Sequence, residues 1–344
     1  MANGLSLWSL KYGPDDPYVR VCFALQLTLM EEAHQPLKVY QPVLATALGI
    51  LFVSTASIFI RFAQAEASSI VIAAARLVIA SMVLLPLAFF RYREELRRLT
   101  KTEYQKAILS GVFLALHFAS WITSLQYTSV ASSVVLVTTT PLWVALLSPA
   151  VLKEPIRRAV VIGLAVSMIG SVIVGLANAC DLANAGIVCQ PGLFGGQTML
   201  GNVLALFGAW MAAGYMLVGR QLRKSLSTIP YVALVYGMAA LILLLAVVFR
   251  AEPVFSYSGE TYLWLLLLGI FPQLLGHSLF NWALKYISAA YVSLTLLGEP
   301  IGTVILAIIF LKESPTLIEI VGAVLILIGI VIGSLHRSQP VNAA

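Results

Sequence analysis

Long apolar runs alternate with short polar segments along the whole chain. A hydrocarbon core about 30 Å thick takes about 20 helical residues to cross. Ten stretches meet that length: 42–62, 69–90, 107–126, 129–151, 157–177, 199–219, 229–249, 261–281, 289–310 and 317–335. The runs are continuous, not alternating, so they predict helices and exclude β-barrel strands. The connections are short. The longest, 178–198, is rich in Gly, Asn and Ala, and one segment, 91–106, concentrates charge. The pattern predicts an all-α polytopic membrane protein with ten transmembrane helices.

Composition sharpens this. Of 344 residues, 60% are apolar and 10% charged, against about 45–50% and 25% in soluble domains. So few polar residues cannot clothe one core in water, which excludes a soluble enzyme. Three cysteines exclude a disulfide scaffold. The net charge of +6 does not call for nucleic acid, because the basic residues sit between the apolar runs. With the N-terminus inside, 17 Lys and Arg fall on the cytoplasmic side and three, Arg61, Arg250 and Lys312, fall outside. That bias orients both termini to the cytoplasm of a plasma (inner) membrane. Residues 1–41 read as a poorly ordered tail. Val19–Leu29 is too short to span and lacks signal-peptide flanks, and Met30 offers an alternative start.

The chain also repeats itself. At an offset of 159, Gly49 falls on Gly208 and Arg61 on Arg220. Leu125, Tyr127, Ser129 and Ala131 fall on Leu284, Tyr286, Ser288 and Ala290, and Pro141 falls on Pro300. Leu152-Lys-Glu falls on Leu311-Lys-Glu, and Gly163 and Gly170 on Gly322 and Gly329. A fixed period of this kind marks a repeated unit. The unit holds five helices, an odd number, so the second copy enters the membrane from the opposite side. Lys153 then lies inside and Lys312 outside. Inverted repeats of this kind build many secondary transporters.

These elements resemble the EamA type of the drug/metabolite transporter superfamily. The likeness rests on Leu125-Gln-Tyr-Thr-Ser-Val-Ala-Ser-Ser, Pro141, Leu152-Lys-Glu and the Gly163/Gly170 helix. It also rests on their second copies, with Glu299-Pro300, and on Arg76 within Ala73-Ala-Ala-Arg. It implies two five-helix units, 42–177 and 199–336, an extracytoplasmic loop 178–198 and a cytoplasmic tail 337–344. It further implies a central cavity and transport, often outward, of small metabolites.

Intramembrane ionisable groups cost about 2.5–3.5 kcal/mol on insertion scales and mark functional candidates. Arg76 sits in the second span and offers a planar fork for a carboxylate or phosphate. The plain alternative is an Arg that snorkels outward or pairs with helix-end carbonyls. Glu299 lies mid-span before Pro300, which lacks an N–H and disturbs the bond to the Leu296 carbonyl. A carboxylate beside a freed carbonyl suits a cation, a substrate ammonium or a coupling proton. The alternative is interhelical packing. Its repeat mate, Thr140 before Pro141, keeps the kink without the charge. Gln273, His277 and Asn281, at i, i+4 and i+8, form one polar stripe. His117, Trp121 and Ser124 form another. Both stripes fit a wet cavity, though hydrogen bonding between helices is their commoner use. Among the aromatics, Trp143, Trp210, Tyr215, Tyr236 and Trp282 also fall within spans, where packing is the ordinary reading. Cys180 and Cys189 flank the outer loop, where an oxidising exterior permits a disulfide and free thiols are the alternative.

No Walker A loop, G-x-S-x-G, H-E-x-x-H or C-x-x-C is present. No cofactor or metal is expected, and an ATP-driven pump is disfavoured. The reading is a secondary transporter, an exporter of a small metabolite or drug, working by alternating access. Its partners are a small-molecule substrate, a coupling proton or cation and the lipid bilayer, and the sequence sets no oligomeric state. The competing classes are a membrane-embedded enzyme acting on lipid or peptide and a non-transporting scaffold. The spans hold no Asp, which excludes a di-aspartyl site.

Overall fold

The computed structural model describes residues 40–128, 133, 136–183, 186–189, 196–311 and 317–335. The N-terminal tail, Lys312 and the C-terminal tail lie outside the described residues. The helices in chain order begin with α1 (Gln41–Val53), α2 (Ala56–Ala63), α3 (Ser69–Arg91), α4 (Arg93–Arg97) and α5 (Lys101–Tyr127). Next come α6 (Thr140–Leu152) and α7 (Arg158–Ala179), then a two-stranded hairpin, β1 (Cys180–Ala183) and β2 (Gly186–Cys189). The chain continues as α8 (Gly196–Leu222), α9 (Thr228–Phe249) and α10 (Gly259–Leu268), a π-helical segment (Gly269–His277) and α11 (Ser278–Ala283). It ends with α12 (Ala289–Leu296), α13 (Glu299–Leu311) and α14 (Leu317–Leu335).

Among the described residues the regular structure is helical apart from that hairpin, which sets the backbone of Cys180 opposite Cys189. Among the described residues, six segments are long and apolar enough to cross a membrane: Gln41–Ala63, Ser69–Arg91, Lys101–Tyr127, Gly196–Leu222, Thr228–Phe249 and Gly259–Ala283. The remaining apolar helices are shorter, among them Thr140–Leu152, Arg158–Ile173 and Ile320–Gly333. Large apolar side chains such as Leu51, Met82, Phe90, Val248 and Ile309 face outward. Small residues such as Ala73, Ala74, Ala209, Ala213 and Ala239 are buried between helices. Lipid and side chains are equally apolar, so close approach of backbones, not exclusion from water, favours this inside-out arrangement.

Side-chain caps start several helices. Ser68 accepts the Val71 N–H at the start of α3, and Ser288 accepts the Tyr291 N–H at the start of α12. Thr100 and Glu103 form a capping box on α5. Both groups satisfy N–H donors that a first turn leaves unpaired. α5 therefore begins six residues before the apolar run at 107, inside the charged segment.

Three predicted spans differ from one continuous helix. The first breaks at Ser54–Thr55, where each hydroxyl bonds back to its own helix, Ser54 to the Ile50 carbonyl and Thr55 to the Phe52 carbonyl. Such back-bonding competes with the helical ladder. In the ninth, α12 ends at Leu296, and the chain turns through Leu297–Gly298 and restarts at Glu299. Pro300 is thus not a mid-helix kink. It stands second in α13, where a missing N–H costs little because first-turn donors have no intrahelical partner. Pro141 takes the same place in α6, after a turn at Thr138–Thr139.

α7 packs along α14, α5 along α8, and α9 against α3 and α5. The α7–α14 seam is made by glycines. A Cβ on Gly170 would stand 2.6 Å from the Gly322 carbonyl oxygen, and one on Gly163 would strike that of Gly329. Ser167 Oγ donates to the Ile326 carbonyl at 3.1 Å between them. The two helices therefore run antiparallel, with the start of each beside the end of the other.

Candidate functional site

A cavity of about 90 Å³ lies where the broken helices meet. Its lining includes Arg76 (α3), His117 and Trp121 (α5), Thr140 and Pro141 (α6), Tyr215 (α8), His277 (π segment) and Glu299 (α13). Ser54, at the break between α1 and α2, ties one wall together. Its Oγ, whose one proton is shared between the Ile50 carbonyl at 2.7 Å and the Glu299 carbonyl at 3.1 Å, reaches α13, and Thr303 Oγ1 lies 3.2 Å from the Ser54 carbonyl oxygen. Glu299 stands in the first turn of α13, the helix end at which an acidic side chain is favoured by the backbone dipoles.

Arg76 is fully buried and turned inward. Its guanidinium carbon lies 3.9 Å from the centroid of the Phe118 ring, and its Nε donates to Gln273 Oε1 at 2.9 Å. Both Nη atoms are buried with no hydrogen-bond partner, as is Trp121 Nε1. The alternatives of outward snorkelling and helix-end carbonyl pairing therefore fail for this Arg. Glu299 and Arg76 act on each other electrostatically across the cavity, and Arg76 has the carboxylate of Glu299 as its counter-charge among the lining residues.

Phe118 joins the two histidines. The His277 ring meets it edge-on at 5.4 Å, and the His117 ring lies 4.8 Å away. His117 also stacks on Trp121, with centroids 6.0 Å apart and planes 8° apart. His117 Nδ1 is 2.9 Å from the Gly208 carbonyl oxygen. A carbonyl only accepts, so Nδ1 carries the proton of the neutral ring and Nε2 is left as an acceptor.

The structure thus brings together Arg76, His117, Trp121, His277 and Glu299. Gln273 stands behind Arg76 and orients it. Asn281 is placed elsewhere: its Oδ1 accepts from Tyr215 Oη at 2.7 Å and its Nδ2 donates to Tyr236 Oη at 3.0 Å. The stripe of Gln273, His277 and Asn281 does not act as one lining, because the π turn of Gly269–His277 is wider than the α turn that the spacing assumes. Pro272 inside this segment supplies no N–H, a signal the spacing argument passed over. Pro141 lines the cavity and Pro300 does not. Of the remaining aromatics, Trp143 and Trp210 meet edge-on at 5.3 Å, and Trp282 pairs with Tyr286.

A second polar cluster was not anticipated. Arg220 and Arg223 count as loop charges by sequence, yet they are 5% and 1% exposed. Arg220 Nε pairs with Glu154 Oε1 at 3.0 Å, and its Nη1 donates to the carbonyls of Leu284 and Lys285. Arg223 donates to the carbonyls of Asn281 and Leu226 and to Thr228 Oγ1. These two arginines cross-link the end of α8 to the chain on either side of it. Among the described residues, no group of three His, Cys, Asp or Glu could hold a metal ion.

The chain resembles known proteins along most of its length. A family model for the EamA-like transporter family matches twice, over residues 41–176 and 199–335. An "Uncharacterized transporter" of Clostridium kluyveri is 27% identical over 258 residues, covering 74% of this chain and 79% of the relative. "Uncharacterized transporter YetK" of Bacillus subtilis is 26% identical over 271 residues, 77% of this chain and 78% of its own. A solved structure titled "Crystal structure of protein" superposes with a TM-score of 0.67, at 19% identity, over 85% of this chain and 96% of that one. It shares the fold. Doubled family match, apolar helices and related transporters converge: this multi-pass membrane protein belongs to the EamA-like transporter family.

Proposed function

We propose that the protein is a secondary transporter that exports a small metabolite or drug across the plasma membrane by alternating access. The observation that carries the reading is the cavity, lined by Glu299 and by Arg76, whose Nη atoms have no hydrogen-bond partner, between discontinuous helices. Broken helices around a midplane site are the usual architecture for such movement, since unwound backbone is tolerated in a membrane only where protein or a cavity covers it. Ten transmembrane helices form two inverted five-helix units, 42–177 and 199–336, with both termini in the cytoplasm.

The α7–α14 seam supports the inversion. Exchanging each residue for its mate 159 positions away turns the contact of Gly163 with Gly329 into that of Gly322 with Gly170, and both are formed. The pair Ser167 and Ile326 maps onto itself. A two-fold axis in the membrane plane has this property. The 17-to-3 bias of basic residues supports the orientation. In this reading Glu299 carries the coupling proton or cation, while Arg76, His117, Trp121 and His277 line the path and Gln273 and Asn281 hold it in shape.

The test is transport by purified protein in liposomes under an imposed proton gradient. Glu299→Gln is expected to abolish gradient-driven transport while the variant stays folded in the membrane. Full gradient-driven transport by that variant would remove Glu299 as the coupling group.

A further inference from the structure

Three donors at the cavity have no protein acceptor: Arg76 Nη1, Arg76 Nη2 and Trp121 Nε1. A buried donor left without a partner is costly, and more so when it is charged. The site is therefore built to receive an acceptor. Gln273 occupies Nε of Arg76 and Phe118 covers one face of the guanidinium. What remains free is the Nη1/Nη2 edge, a planar pair of N–H groups. That edge matches two oxygens of a planar anion held by parallel hydrogen bonds.

Charge selects among anions. The cavity already holds one positive and one negative group, Arg76 and Glu299. A dianion such as a phosphate monoester would leave two uncompensated negative charges beside Glu299, whereas a carboxylate leaves one. A single proton removes that excess. The titratable groups facing the pair are His117 from α5, His277 from the π segment and Tyr215 from α8, with Tyr236 of α9 behind Asn281. His117 already spends its proton on the Gly208 carbonyl, so its Nε2 adds no compensating charge while the ring stays neutral. Glu299 is the one acidic side chain among the described lining residues, and its protonation removes the excess negative charge.

We propose that the transported molecule carries a carboxylate, that the Nη edge of Arg76 is its anchor, and that its binding puts a proton on Glu299. This inference rests on the transport reading above and names the chemistry of its substrate. No bond is made or broken: a proton passes from solvent to Glu299 as the anion enters and both leave together, so that export runs down the anion's own gradient and an imposed proton gradient drives movement in the direction the proton takes.

The experiment uses the purified full chain in nanodiscs with three matched probe pairs: acetate and acetamide, propionate and propionamide, benzoate and benzamide. Inorganic phosphate and methylamine are run alongside. At least one carboxylate is expected to raise the thermal midpoint by roughly several degrees at saturation, with its amide inert. Arg76→Gln is expected to weaken that binding by about tenfold or more, and Arg76→Lys to restore it only in part, since a point charge cannot make the fork. Calorimetry of the wild-type chain in two buffers of different ionisation enthalpy should report uptake of about one proton per carboxylate bound. In Glu299→Gln the carboxylate should still bind and the uptake should vanish. The proposal is overturned if no carboxylate binds, if amide, phosphate or methylamine binds as well or better, or if Glu299→Gln keeps its proton uptake. Binding by methylamine alone would discard the carboxylate class and leave the transport reading standing. That reading fails separately, if the site proves reachable from one side of the membrane only.

Discussion

Replacing Gly170 by Ala puts a methyl group into a helix seam closed by backbone on both sides. The new Cβ would lie 2.6 Å from the Gly322 carbonyl oxygen and 2.8 Å from the Ile326 nitrogen, where ordinary contact begins at 3.4 Å. Both obstacles are backbone, so no rotamer change relieves them. α7 and α14 must part by roughly 0.5–1 Å, which forfeits a quarter to a half of each dispersion contact along the seam. Overpacking of this kind costs about 1–3 kcal/mol. Helix propensity opposes it, because Ala is favoured over Gly by about 0.5–1 kcal/mol in a helix interior. The net expectation is a loss of about 1–2 kcal/mol. Gly237→Ala serves as the control: its nearest neighbour, Leu85 Cδ2, is 3.4 Å away and is the end of a flexible side chain. That variant should hold or gain stability. Gly163→Ala strikes the same seam, so the double variant with Gly170→Ala should lose less than the sum of the singles. The assay is the unfolding midpoint of purified protein in detergent, followed by size-exclusion fluorescence. A Gly170→Ala variant as stable as Gly237→Ala would refute the packing argument.

Three further outcomes follow from other contacts. Glu66 Oε2 accepts the Ser258 backbone N–H at 2.7 Å and the Thr261 hydroxyl at 3.0 Å, and the Ser258 bond above all holds its carboxyl below the usual carboxylate range. A depressed carboxyl stabilises the fold above its unfolded value of about 4.3 and loses that contribution as pH falls through the folded value. Protection of the amides at the start of α10, after correction for the intrinsic exchange rate at each pH, should therefore fall in acid in the wild type, and should be lower and insensitive to pH in Glu66→Gln. Glu154→Gln removes the carboxylate from buried Arg220, whose partner is itself 20% exposed at its side chain. The expected loss is about 1–3 kcal/mol, less than the roughly 3–5 of a fully buried pair because Arg220 keeps two carbonyl partners, and a thermal midpoint equal to wild type would count against it. Cys180 and Cys189, opposite one another in the hairpin register, are expected to be joined in protein taken from an oxidising compartment. Alkylation before and after reduction, read by peptide mass, should label both only after reduction.

How far the sequence carries the fold depends on what each element relies on. Apolar length located Ser69–Arg91 and Thr228–Phe249 nearly to the residue, because those helices begin and end where hydropathy changes. It missed the start of α5, which a side-chain capping box sets within charged sequence. It missed the break at Ser54–Thr55 altogether, since no Gly or Pro marks it and hydropathy is blind to a backbone turn between apolar neighbours. Pro300 signalled a disturbance, but the chain turns at Leu297–Gly298 and restarts rather than bends. At the site, Arg76 and Glu299 stood out because charge within an apolar run is costly. The two His-bearing stripes located His117 and His277 but not Asn281, whose direction depends on the π turn. Arg220 and Arg223 were hidden by their place at a helix end, where a charge looks like loop sequence until its carbonyl partners are known.

Alternating access as proposed requires the second half of the chain to enter the membrane upside down relative to the first. Single cysteines at Lys153 and at Lys312, in a chain whose Cys22, Cys180 and Cys189 are replaced by Ser, can be exposed in intact cells to a membrane-impermeant thiol reagent. Labelling is expected at 312 from outside, and at 153 only after the membrane is opened. Labelling of both positions from the same side would contradict it.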